Sequence, residues 1–83
     1  MADPSAVEAR IVAIIKRTFG VEHQAITRDT VAADVPGWDS VAHSNLIMDI
    51  ETELGIAFDL DEVFNYQSVG DLVDGAAKLA QPA

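Results

Sequence analysis

The sequence predicts an all-α protein: a small four-helix bundle with three main helices, a short third one, and a long loop between the first and second. Three observations carry that expectation. Apolar residues recur at helical spacing in three separate segments. The segments are bounded by residues that start or stop helices, among them Asp3-Pro4, Asp39-Ser40, Gly20 and Gly55. No stretch shows the alternation of a strand, and no internal repeat is present.

The first helix is read from PSAVEARIVAIIKRTFG, where Val7, Ile11, Ile14, Ile15 and Thr18 fall on one face. Asp3 offers an N-cap with Pro4 at N1, and Ser5 with Glu8 makes a capping-box pattern. Lys16 and Arg17 suit the negative end of the helix dipole in the last turn, and Gly20 is a C′ stop. Residues 20–38 have no sustained period. They carry turn formers and Pro36, yet Val21, Ile26, Val31 and Val35 recur through them. An unstructured connection this long is uncommon in a compact domain, so the spaced aliphatics predict a loop pinned onto the helices.

The second helix is expected from Asp39 or Ser40 to Leu54, with Gly55 ending it. Leu46, Ile47, Ile50 and Leu54 form its buried stripe, while Glu51 and Glu53 point elsewhere. Val41 and Met48, seven residues apart, share a second face that reads as contact surface. DLDEVFNY, residues 59–66, reads as one or two helical turns capped by Asp59, with Phe58, Val63 and Phe64 as anchors. The last helix is expected from Ser68, with Asp71 at N3 in a capping-box arrangement. Val69, Leu72, Val73, Ala76 and either Leu79 or Ala80 make its apolar face.

Composition narrows the function classes. At 83 residues the chain allows one domain, 1–83, with an ordered core over about 5–80. A chain this short buries only about 60% of its unfolded surface, so a deep, enclosed substrate pocket is hard to build. With no cysteine there are neither disulfides nor thiolate metal sites. The start, MADPSAVEAR, lacks the basic and apolar regions of a signal peptide. No apolar run approaches the roughly 18 residues of a membrane span. The expectation is a soluble, cytoplasmic monomer with no membrane insertion. The formal charge of −9 is divided unevenly, with residues 1–28 at +1 and residues 29–83, where Lys78 is the one cation, at −10. Such a field repels nucleic-acid phosphates and attracts basic protein surfaces, although it also simply keeps a small protein soluble.

Two kinds of chemistry fail on inspection. An EF-hand beginning at Asp59 would place Phe64 where glycine is needed and Gly70 where the bidentate glutamate is needed. The acids there read as a solvated face. A serine hydrolase would use Ser40 with His43, three residues apart on one helix face. There is no G-x-S-x-G elbow and no evident oxyanion hole, and no catalytic residues are assigned. His43 then reads as a surface or packing residue. Ser40 itself is open to two readings. Serine is a good N-cap, but Asp39 caps equally well and would leave Ser40 at N1 with its hydroxyl exposed. There the free N–H groups and the helix dipole would stabilise an attached anion such as a phosphodiester.

GWDSV, followed by NLIMDIETELGIAFDLDEVFNYQSVGDLV, resembles the acyl carrier protein family, including its freestanding bacterial members. The family motif Gly-x-Asp-Ser-Leu is matched by Gly37, Asp39 and Ser40, with Val41 replacing the leucine and Trp38 in the variable position. The resemblance runs over roughly residues 5–80. It implies a carrier that is not itself an enzyme. Ser40 would receive 4′-phosphopantetheine from coenzyme A through a phosphopantetheinyl transferase, and the thiol of that arm would hold cargo as a thioester. The missing cysteine is then no deficit, because the thiol arrives with the cofactor.

The implied partners are an acyl- or aminoacyl-activating ligase and an acyltransferase or ketosynthase of a lipid, polyketide or other specialised pathway. The resemblance assigns partner contact to Asp39, Val41, Met48 and Glu51, and to Tyr66 in the short third helix. It offers Leu46, Ile47, Ile50, Phe58 and Leu72 either as lining for a sheltered acyl chain or as ordinary core. Many fatty-acid carriers place acids and an aliphatic just after the modified serine, where this chain has Ala42, His43, Ser44 and Asn45. That departure, with Trp38, resembles dedicated carriers of specialised pathways, some of them aminoacyl carriers. The alternatives kept open are an aminoacyl or peptidyl carrier using the same arm, and an acidic helical interaction module with no prosthetic group.

Overall fold

The computed structural model describes residues 4–80. Four α-helices run in the order α1 (Pro4–Phe19), α2 (Ser40–Leu54), α3 (Leu60–Val63) and α4 (Val69–Ala80), with one turn of 3₁₀-helix at Ala32–Asp34 in the long loop. The described residues contain no strand, as the sequence predicts. Asp3, the expected cap of α1, lies outside the described residues.

The core forms where the helical stripes meet. Val7, Ile11, Ile14 and Ile15 of α1 pack with Leu46, Ile47 and Ile50 of α2 and with Val69, Leu72, Val73, Ala76 and Ala77 of α4, and Phe58 and Val63 close one side. Ile11, Ile15, Leu46, Ile50, Val73 and Ala76 are fully buried. At about 25 cal/mol per Å² of apolar surface removed from water, each large aliphatic in this cluster contributes on the order of 1.5–3 kcal/mol. Of the two alternatives at the end of α4, Ala80 is half-buried and Leu79 exposed.

Both long-helix exits follow the glycine rule. Gly20 and Gly55 sit at φ 66° and 67°. Val21 N–H reaches back to Lys16 O (3.0 Å) and Ile56 N–H to Glu51 O (3.2 Å), the long bond of a Schellman closure.

Three expectations need correcting. Thr18, assigned to the buried face of α1, is exposed, because that face has run out by the last turn and Phe19 packs on the core instead. Phe64, assigned as an anchor, is 60% exposed, while Val63 is 2% exposed. A single turn of helix offers the core one side, so of two adjacent residues only one is buried. Tyr66 lies beyond α3, in the connection to α4, because the helix ends at Val63.

The long loop is held as expected, and more firmly at its backbone than at its aliphatics. Val35 is buried, but Val21, Ile26 and Val31 are only half-buried. Among the described residues Thr30 is the one buried polar residue; its Oγ1 accepts the N–H of Thr27 at 2.9 Å. From there the loop runs against the start of α4. Val69 N–H donates to Thr30 O (2.8 Å) and Gly70 N–H to Arg28 O (2.9 Å). Asp71 N–H reaches Ser68 Oγ (3.3 Å) and Leu72 N–H reaches Ser68 O (3.2 Å). The N–H groups of Val69, Gly70 and Asp71, which the helix itself leaves unpaired, are thus satisfied, and Leu72 N–H makes the first bond within the helix. Gly70 permits the approach, since a Cβ there would stand 3.1 Å from both Cβ and O of Arg28.

Candidate functional site

The start of α2 is built differently. Asp39, in extended conformation at φ −108°, is the N-cap, and its Oδ1 accepts the N–H of Ala42 at 2.8 Å. Its carbonyl accepts His43 N–H at 2.8 Å. Ser40 is therefore the first helical residue, exposed, as one of the two readings required. Among the described residues nothing hydrogen-bonds the Ser40 hydroxyl, and the N–H groups of Ser40 and Val41 have no acceptor. Two free N–H groups at the positive end of a fifteen-residue helix suit a bound phosphate. A 4′-phosphopantetheine phosphodiester fits this end without displacing any protein contact.

Beside Ser40 stands an aromatic column that the residue spacing does not disclose. Phe19 and Trp38 stack at 5.2 Å between ring centroids, Trp38 and His43 at 6.1 Å, and His43 meets Phe64 at 5.4 Å with the planes tilted by 49°. Trp38 Nε1–H donates to His43 Nδ1 (3.1 Å), and His43 Nε2 lies 2.7 Å from Val63 O. Indole N–H is only a donor and a carbonyl only an acceptor. Both bonds form together when the imidazole carries its proton on Nε2. The chain of bonds ties the residue just before the cap to the last carbonyl of α3, which a helix end leaves unpaired. Nothing in the linear pattern links Trp38 in a loop to the end of α3, so this clasp was not legible beforehand.

The remaining residues singled out in the sequence fall into two groups. Val41 and Met48 are 72% and 61% exposed on the outer face of α2. Leu60 and Phe64 of the α3 region, which sequence reasoning missed as surface, extend that apolar patch. Met48, Leu60 and Phe64 rim a groove of about 150 Å³ floored by Ile47 and Val63. Among the described residues no ion pair engages Asp59, Asp61 or Glu62 of the α3 region, whereas Arg17 pairs with Glu53 (2.7 Å) with Asp49 also in its field, and Arg28 pairs with Asp74 (2.7 Å). Glu51 is half-buried, and its Oε2 accepts Phe58 N–H at 2.7 Å, fixing the α2–α3 connection. Tyr66 is also half-buried; its ring meets Phe58 edge-on, and its buried hydroxyl lies over Gly75 with no hydrogen-bond partner among the described residues. Burial pushes its phenol pKa up, with Glu62 and Asp59 adding to the shift. Leu46, Ile47, Ile50, Phe58 and Leu72 are all core, between 0% and 7% exposed. No group of His, Cys, Asp or Glu among the described residues is arranged to hold a metal, and no described helix is long and apolar enough to cross a membrane.

A small helical bundle that leaves one serine exposed at an unclaimed helix start, beneath an acidic and apolar face, has the build of a carrier for a covalently attached group. The comparisons agree. A family profile described as "Phosphopantetheine attachment site" matches residues 9–75. The acyl carrier protein of Thermotoga maritima is 30% identical over 73 residues, covering 88% of this chain and 90% of its own. Acyl carrier protein MbtL of Mycobacterium tuberculosis is 30% identical over 71 residues, 86% of this chain and 84% of its own. The solution structure of holo acyl carrier protein from Geobacter metallireducens superposes with a TM-score of 0.80 at 34% identity, covering 88% of this chain and 84% of that one. The chain belongs to the acyl carrier protein family, whose members carry covalent 4′-phosphopantetheine.

Proposed function

We propose that Ser40 is the attachment residue and that the protein shuttles acyl groups as thioesters between the enzymes of a biosynthetic pathway, without catalysing a step itself. The observation that carries this reading is the start of α2, where Asp39 performs the capping and leaves Ser40 Oγ and two N–H groups unengaged. In the loading step Ser40 Oγ forms a bond to phosphorus as the pyrophosphate linkage of coenzyme A breaks. Adenosine 3′,5′-bisphosphate leaves, and the hydroxyl proton passes to the transferase or to solvent. The bound arm supplies the thiol that holds the acyl group. The chain's own part is to present the serine, to stabilise the phosphodiester with the free N–H groups of Ser40 and Val41, and to offer partners a face.

That face comprises Asp39, Val41 and Met48 with the acids of α2 and α3, and it suits enzymes with basic and apolar surface: a phosphopantetheinyl transferase, an activating ligase, and an acyltransferase or ketosynthase. The acyl reading is favoured over the aminoacyl one because the relatives above are named acyl carrier proteins. Intact mass after incubation with coenzyme A and a broad-specificity transferase tests the proposal. The wild type is expected to gain one phosphopantetheine and Ser40→Ala none. An unmodified wild type, or a Ser40→Ala protein that gains the same mass, overturns the assignment.

A further inference from the structure

The groove that opens at Ser40 has a volume of about 270 Å³ and is walled by Trp38, His43, Phe64 and Tyr66. It shares Trp38, His43 and Tyr66 with a narrower cleft of about 40 Å³ that ends on Thr30, Ser68 and Leu72. An arm that folds back toward Ser40 therefore brings its acyl end against aromatic rings before the aliphatic core. The way between α2 and α3 is tied shut by the 2.7 Å contact from His43 Nε2 to Val63 O. Behind it Leu46 and Ile50 are 0% exposed.

The groove's volume approaches the roughly 300 Å³ at which small-molecule pockets begin, enough to hold one aromatic ring. Its walls are matched to such a guest. Among its walls the planes of Trp38 and His43 differ by 22°, and Phe64 is tilted by 49° to His43, so the groove offers both ring faces and ring edges. Phe64, 60% exposed, forms the outer wall. A conjugated guest makes offset and edge-to-face contacts with these rings that a saturated chain cannot make.

We propose that this groove receives a flat, aromatic acyl group carried on the arm, held outside the helical core by the clasp of Trp38, His43 and Val63. The inference rests on Ser40 being the attachment residue, and the test separates the two. The transferase is given coenzyme A, benzoyl-coenzyme A or octanoyl-coenzyme A, and intact mass is read first. No gain from any donor removes the attachment reading and this inference with it. With the gain in hand, Trp38, the only tryptophan, reports the groove through its fluorescence and its indole N–H resonance.

The benzoyl form is expected to quench Trp38 and to shift its indole N–H and the Phe64 amide relative to the unacylated form. The octanoyl form should match the unacylated one at those positions. Phe64→Ala, an exposed substitution, should shrink the benzoyl response. Three results overturn the groove while leaving attachment intact: benzoyl and unacylated forms alike at Trp38, an octanoyl response as large as the benzoyl one, or benzoyl-induced shifts in the methyls of Leu46 and Ile50 instead.

Discussion

The starts of α2 and α4 use the same two residue types, a serine and an aspartate, in exchanged roles. At α4 the serine is the cap: Ser68 Oγ accepts from Asp71 N–H, Asp71 Oδ2 accepts from Gln67 N–H at 3.1 Å, and loop carbonyls take the two N–H groups that remain. At α2 the aspartate is the cap, the serine follows it, and no loop carbonyl comes near enough to take the N–H groups of Ser40 and Val41. One serine is spent on holding the fold and the other is left available for chemistry. What separates them is which residue stands first, together with the loop that covers one helix start and leaves the other open.

The sharpest way to break the closed end is at Gly70. A valine there would drive its side chain into the Arg28 backbone, which cannot retreat without losing the 2.9 Å bond from Gly70 N–H. Overpacking of this kind costs about 1–3 kcal/mol. Chemical denaturation of Gly70→Val should show that loss, with the loop pulled away from α4. The next effect compares the two serines directly. Ser68→Ala removes a cap and should cost about 1 kcal/mol, and Asp39→Ala should cost about the same for the same reason. Ser40→Ala should change stability by no more than about 0.5 kcal/mol, as at an ordinary exposed position. Equal losses from Ser40→Ala and Ser68→Ala in thermal unfolding would mean that Ser40 is a cap after all.

How far the sequence disclosed this contrast depends on the range of the interactions. The helices were legible because their buried stripes repeat every three or four residues and their ends carry local signals; Val7, Ile11 and Ile14 or Leu72 and Val73 need no knowledge of the rest. Asp39 as cap with Ser40 at N1 was legible as one of two local choices. The loop's grip on α4 was not, because Thr30 and Arg28 act there through backbone carbonyls, which leave no trace in residue type. Phe64 misled because a one-turn helix has too few residues for periodicity to say which side faces in. Trp38, His43 and Val63 are joined only by the fold, and the resemblance of Trp38 and His43 to specialised carriers did not reveal the clasp.

Glu51 sharpens the comparison on the partner-facing side of α2. Its carboxylate holds Phe58 N–H at 2.7 Å, so a charge reversal there changes the fold as well as the docking field. Glu51→Ala should cost on the order of 1 kcal/mol, the net value of one hydrogen bond. Asp49→Lys, at an exposed residue that makes no ion pair among those described but lies in the field of Arg17, should lower stability only slightly. If the acidic face guides partners, both Glu51→Lys and Asp49→Lys should slow loading, and added salt should weaken the wild-type reaction. Slowed loading in Glu51→Lys alone would trace to the lost Phe58 bond rather than to charge.

The smallest effect falls on Tyr66, whose ring lines both the groove at Ser40 and the cleft that ends at Ser68. Burial holds its phenol above the ordinary value of 10.0, and the carboxylates of Glu62 and Asp59 act in the same direction. The folded state therefore keeps its proton at a pH where the unfolded chain has begun to lose it. The resulting stability is fully present below the ordinary tyrosine range and is lost as pH rises through the folded value. Tyr66→Phe should flatten this part of the decline, and the difference between the two proteins isolates it from lysine titration. As the only tyrosine, Tyr66 can also be followed by phenolate absorbance. At neutral pH the same substitution removes a buried hydroxyl that has no partner, so it should be neutral or slightly stabilising. Identical alkaline slopes for wild type and Tyr66→Phe would mean that water reaches the phenol freely. The partition between an open α2 start and a closed α4 start would then end short of Tyr66.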